Sequence, residues 1–150
     1  MRILHVTECY LPMMGGIETQ VSQLAAHQSA EHHVAVFTTT APRHGARGRS
    51  RERHGEVDVY RAAARMPAGA PVNPCAPHHL RDLLPRLRPD VVHFHMGGTA
   101  PSVQLSLEVA AGLPRVVTIH SVWTPPVVRG YRLLSRITGF SDRPIQFSSV

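Results

Sequence analysis

Apolar positions along the chain alternate between the spacing of strands and the spacing of helices. Arg2 to Thr7 is a short apolar run that ends in polar residues, as a buried strand does. Glu8 to Gly16 follows as a turn-rich loop with Pro12 and the pair Gly15-Gly16. From Ile17 the apolar residues Ile17, Val21, Leu24 and Ala25 recur at helical spacing, and this helix fades near Glu31. His33 to Thr39 predicts a second strand and Val57 to Ala62 a third. Between them, Thr40 to Gly55 has no periodicity and much Gly, Arg and Ser, which predicts a mobile loop. Ala63 to Pro77 reads as another loop, broken by four prolines. Leu80, Leu83, Leu84 and Leu87 form a helical stripe closed by Pro89, and Asp90 to Phe94 predicts a fourth strand. Thr99 followed by Pro101 suits a helix start. Val103, Leu107, Ala110 and Ala111 line one face of that helix, and Gly112 with Pro114 ends it. Arg115 to Ile119 predicts a fifth strand, Val127, Tyr131 and Leu134 one more helix, and Pro144 to Ser149 a sixth strand.

Strands alternating with helices build βαβ units and a parallel sheet. The expected fold is α/β, a Rossmann-like doubly wound sheet in three layers, α/β/α. The length of 150 residues matches about one domain, with no internal repeat and no second domain. The stop at Val150, within or just after a strand, reads as a domain truncated near its end.

Composition changes this picture little. Hydrophobic residues make up 43%, enough for a packed core. No apolar run approaches the roughly 20 residues of a membrane span. Arg2 leads straight into strand-like residues and not into a signal peptide, so a cytoplasmic location is expected. Cys9 and Cys75 form no spacing motif and are expected as free thiols, with a reactive Cys9 the minor reading. The net charge of +6 rests on sixteen arginines and no lysine, a bias that looks like base composition. The charge is uneven: Arg43, Arg47, Arg49, Arg51 and Arg53 crowd one stretch with His44 and His54.

Ligands of such sheets bind beyond the carboxyl ends of the strands, where the strand order reverses. With the order 3-2-1-4-5-6, three polar features should converge there: Gly15-Gly16 after strand one, His95 at the end of strand four, and His120 at the end of strand five. Two glycines before a helix let the backbone approach an anion, and the free amides favour negative charge; a tight turn needing positive φ is the plainer account. His93 and His95 share a strand face. A metal reading, with His120 as third ligand, lacks any Asp, Glu or Cys at ligand spacing, so polar pocket histidines are expected. Thr118-Ile119-His120 with Trp123 pairs an imidazole with an aromatic plane, which suits a hexose; Trp123 could equally serve as surface packing.

These residues have a family likeness. Met1-Arg2-Ile3-Leu4 leading through Pro12 to Gly15-Gly16-Ile17-Glu18 resembles the opening of family-4 retaining glycosyltransferases of the GT-B fold. Pro89-Asp90-Val91-Val92-His93-Phe94-His95 resembles that family's fourth-strand segment, and Thr118-Ile119-His120 with Trp123 its H-x-x-W signature. The resemblance covers essentially the whole chain. It implies the N-terminal, acceptor-side domain of a two-domain enzyme that moves a sugar from a nucleotide-sugar donor to a lipid or small-molecule acceptor, with retention at the anomeric carbon. It places Gly15 and Gly16 at the donor diphosphate, His120 as the catalytic residue at the transferred sugar, and His95 near donor sugar or acceptor. Glu18 and Trp123 match motif positions and take support roles. No metal or other cofactor is implied. Nucleotide contacts and the E-x7-E element would lie in the missing C-terminal domain, so residues 1–150 alone are expected to be silent. Met13-Met14 is bulkier than the family pattern before the glycines, and Pro144-Ile145-Gln146-Phe147 replaces a Val- and Ala-rich strand.

Three other functions compete. A dinucleotide-binding oxidoreductase needs G-x-G-x-x-G immediately after strand one, and here two adjacent glycines come eight residues later. An anion-binding module could use the Arg-rich stretch. That stretch lacks the interleaved aromatics of single-strand binders, no recognition helix is evident, and no nucleic-acid partner is expected. A natural short product with a partner-binding role is the third. As part of a transferase, Arg47, Arg49, Arg51 and Arg53 would instead dock the domain peripherally on anionic lipid or an acidic acceptor.

Overall fold

Seven strands form one sheet in the order β3-β4-β2-β1-β5-β6-β7. The structure, a computed structural model, describes residues 1–45, 47–98 and 100–121, and beyond them positions 125, 126, 128, 129 and 133 and the strand Gln146–Ser148. The strands are β1 (Arg2–Thr7), β2 (His33–Thr38), β3 (Gly48–His54), β4 (Val57–Ala63), β5 (Val91–Met96), β6 (Arg115–Ile119) and β7 (Gln146–Ser148). All neighbours run parallel except β3 against β4. The six parallel strands reproduce the 3-2-1-4-5-6 order expected from the sequence, with β1 and β5 flanking the reversal.

Helix α1 (Gly16–Gln28) covers one face of the sheet, and α2 (Ala76–Leu87) with α3 (Pro101–Ser106) covers the other. Under α1 lie Ile3, Val34, Val36, Val57 and Val59, packed with Val21 and Ala25. Under α2 and α3 lie Leu4, Val6, Val92, Phe94, Met96 and Val117, with Leu80, Leu83, Val103 and Leu107. A fully buried side chain of this size contributes about 1.5–3 kcal/mol, so these two layers dominate the stability of the domain. The leucine stripe of α2 faces this core as its spacing requires. Its start tolerates Pro77 in the first turn. Its end is set by Arg88, which adopts the left-handed backbone (φ 45) and donates its N–H to the Leu84 carbonyl at 2.8 Å, just before Pro89. The third apolar helix is shorter than its pattern predicts, because α3 passes at Leu107–Ala110 into a tighter 3-10 turn.

The expected mobile loop over Thr40 to Gly55 is corrected. Gly48–His54 is an edge strand, antiparallel to β4. It has no apolar periodicity because its alternation is polar: Arg49, Arg51 and Arg53 alternate with Ser50, Glu52 and His54. Pairing with β4 supplies the backbone hydrogen bonds, and the charged side chains guard a sheet edge against pairing with another chain. Arg49 meets Asp82 at 2.9 Å, Arg51 meets Asp58 at 3.1 Å, and Arg53 meets Glu56 at 2.5 Å. Being exposed, each pair adds little stability.

No helix among the described residues is long and apolar enough to cross a membrane. Trp123 and most of the helix expected around Val127, Tyr131 and Leu134 lie outside the described residues.

Candidate functional site

The carboxyl ends of β1, β5 and β6 lie side by side at the strand-order reversal. Their parallel register sets His5 beside His93, Thr7 beside His95, and His95 beside Thr118. Residues two apart share a face, so these polar positions all turn toward α1 while Leu4, Val6, Phe94 and Val117 turn to the opposite core. The result is an unbroken line of side chains beneath α1. Gln28 Oε1 and His5 Nε2 are 2.8 Å apart, His5 Nδ1 and His95 Nε2 2.9 Å, and His95 Nδ1 and His120 Nε2 2.9 Å. His120 Nδ1 then meets Gln20 Oε1 at 2.9 Å. His93 stands beside the line, its Nε2 2.7 Å from Thr118 Oγ1. His5 is 0% exposed and His95 2% exposed, whereas Gln20 at the far end is in solvent.

Burial penalises the charged imidazole. It lowers His5 to about 4, lowers His93 to about 4 with the neighbouring His5 and His120 adding to the effect, and holds His95 well below the ordinary histidine range. His120 is lowered by burial too. Near neutral pH the line therefore consists of uncharged rings, each able to donate through one nitrogen and accept through the other. Nitrogens of His5, His93 and His95 come within 4.8 Å of one another, close enough for one divalent ion to touch all three. The hydrogen bond between His5 and His95 already uses the facing nitrogens of those two rings. The metal trio weighed from the sequence, His93, His95 and His120, differs from this cluster in its third member.

Gly15 and Gly16 meet the same rim. Gly15 precedes the first turn of α1 in extended backbone (φ −171), and neither glycine has positive φ, so the tight-turn account of the pair fails. A Cβ at Gly15 would lie 2.5 Å from Glu18 Oε2, so the buried Glu18 carboxylate, which folds back over Gly15, would have to shift to admit one. Gly16 has open space around it. On the neighbouring loop, a Cβ at Gly97 would lie 3.1 Å from Ile17 Cδ1, so the loop after β5 packs against the first turn of α1. The structure thus brings together Gly15, Gly16, Glu18, His95 and His120. It leaves Arg47, Arg49, Arg51 and Arg53 elsewhere, since β4 and β2 separate β3 from β1.

Sequence reasoning passed over three residues that build this rim. His5 was hidden in an apolar strand, and only its register with His93 exposes its role. Glu8, just past β1, is buried and accepts hydrogen bonds from the backbone at the start of α3; burial raises its carboxyl above the usual range while Ser102 and Val103 pull it back. Arg61, 2% exposed, donates to Glu52, to the Thr40 carbonyl at 3.0 Å and to the Leu11 carbonyl at 2.6 Å. It thereby clamps the loop between β1 and α1 onto β2, β3 and β4. A single arginine inside the Val57 to Ala62 run was the available signal. Cys9 is unsuited to nucleophilic chemistry, its thiol pushed up to about 11 by burial, then by the negative charges of Glu18 and Glu8. A groove of about 460 Å³ lined by Arg2, His33, Arg53 and Pro89 lies at the amino ends of the strands, opposite this rim.

No curated protein sequence matches the chain. Residues 15–145 match the glycosyl transferase 4-like domain, a stretch that takes in the glycine loop, the histidine pair of β5 and His120. Fold and match agree, and the chain belongs to the glycosyl transferase 4-like domain family, a family of glycosyltransferases.

Proposed function

We propose that this domain is the acceptor-side half of a retaining hexosyltransferase of the GT-B architecture, working on a nucleotide-sugar donor. The observation that carries the reading is the contact line His95–His120–Gln20, which joins the carboxyl ends of β5 and β6 to the second turn of α1, one turn past Gly15-Gly16. A donor laid across that rim has its diphosphate at the start of α1, where free amides and the helix dipole favour negative charge, and its sugar at His95 and His120. Glu18, folded over Gly15, lies where it can take a hydroxyl hydrogen bond or yield to the diphosphate. The neutral rings offer hydrogen bonds and no charge. Charge on the departing nucleotide then falls to backbone amides and to basic residues of a second domain closing over the rim, without a metal ion. Trp123 follows His120 closely enough in sequence to stack on the acceptor or donor sugar.

The alternative of an anion-binding or membrane-docking surface on β3 draws less support. Arg49, Arg51 and Arg53 each have an acidic partner, so an anionic lipid or acceptor must compete with Asp82, Asp58 and Glu56.

The test is sugar transfer by the protein completed with its second domain, with the anomeric configuration of the product read by NMR. Retention is expected, with kcat/KM reduced about 100-fold or more in His120→Ala and no turnover by residues 1–150 alone. An inverted product, or full activity in His120→Ala, refutes the reading.

A further inference from the structure

The four hydrogen bonds of the buried line do not balance as they stand. Both end groups, Gln28 Oε1 and Gln20 Oε1, are acceptors, and three neutral imidazoles between them supply three N–H groups for four gaps. One of the two amides must turn its NH2 inward, and which one turns decides the direction of every hydrogen bond in the line. Gln20 is exposed and rotates in water, whereas Gln28 is partly buried at the end of α1. The direction is therefore set from the Gln28 end.

We propose that Gln28, His5 and His95 are positioning residues that hold His120 in its Nε2–H tautomer, so that its outward Nδ1 is an acceptor for a ligand hydroxyl. Gln28 Oε1 accepts from His5 Nε2–H, His5 Nδ1 from His95 Nε2–H, and His95 Nδ1 from His120 Nε2–H. His120 Nδ1 is left with a lone pair, covered in the free protein by the Gln20 amide NH2 and uncovered when a sugar hydroxyl takes its place. The depressed basicity of His5 and His95 agrees with a line that carries no charge. This inference rests on the reading that His120 faces the transferred sugar, and it adds what kind of group His120 recognises: a hydroxyl that donates, with its acceptor set from the partly buried Gln28 at the opposite end of the helix.

Side-chain ¹⁵N NMR of the ligand-free protein reads each tautomer directly. Nε2–H is expected in His5, His95 and His120, with about a fivefold to tenfold excess over the reversed order, the ratio one hydrogen bond supports. Gln28→Leu removes the anchoring acceptor and should raise the Nδ1–H population of His120 several-fold. Gln28→Glu, whose ionised carboxylate only accepts, should restore the original ratio. Finding His120 as Nδ1–H in the unsubstituted protein overturns the proposal, and that spectrum decides the matter even where Gln28→Leu fails to fold. An unmoved His120 ratio in a folded Gln28→Leu overturns it as well. The measurement requires no turnover, so it is independent of the transfer assay: a His120→Ala enzyme that still transfers sugar faults the functional reading and leaves the tautomer order standing.

Discussion

The two faces of β1, β5 and β6 are built from alternate residues of the same strands and solve opposite problems. Toward α2 and α3 they present Leu4, Val6, Phe94, Met96 and Val117, a layer held by area removed from water. Toward α1 they present His5, His93, His95 and Thr118, equally shut away at His5 and His95 but held by directed hydrogen bonds. A buried polar group left unpaired costs about 1–3 kcal/mol, so the second face is tolerable only because each ring finds partners. One face can be repacked by any hydrophobe of the right size. The other fixes the orientation of every ring along it, and it ends at the candidate site.

The largest expected effect breaks the apolar face. Phe94→Ala should cost about 3–5 kcal/mol in urea denaturation, with the dependence of stability on pH unchanged. Acid should break the other face. Folded His5 titrates at about 4 against 6.5 in the unfolded chain. Between those values the unfolded chain holds the extra proton, so stability falls as pH is lowered from 6.5 to 4. His5 alone accounts for about 3 kcal/mol, at about 1.4 kcal/mol per pH unit. Denaturation midpoints across that window should fall less steeply in His5→Asn, with His93 and His95 carrying the remaining slope, and a slope as steep as in the unsubstituted protein would assign the acid sensitivity to those other groups. The smallest effect sharpens the contrast within the polar face. Thr118→Val deprives half-buried His93 of its partner and should cost about 1 kcal/mol, a loss read from the same denaturation curves. A cost near that of Phe94→Ala would mean that His93 belongs to the buried line and does not merely flank it.

Much of the site could be read from the chain because a doubly wound sheet gathers ligands at one edge. Gly15-Gly16, His95 and His120 each follow a predicted strand, so topology alone called for their convergence. Glu18 was placed by motif and is found packed on Gly15. The edge strand β3 is not legible in apolar periodicity for a definite reason: a strand at a sheet edge can alternate charged with polar residues and draw its stability from its neighbour.

Hydrophobic spacing determined the number and type of the parallel strands and the burial of the leucine stripe on α2, since periodicity is a local property that the chain carries wherever it goes. The partners of buried polar groups were decided only in three dimensions. His5 and His95 are 90 residues apart, as are few pairs that sequence patterns join, and Arg61 reaches back 50 residues to the Leu11 carbonyl. A hydrogen bond needs its two atoms within about 3 Å, and that proximity comes from strand register and helix placement, which exist only once the chain has folded.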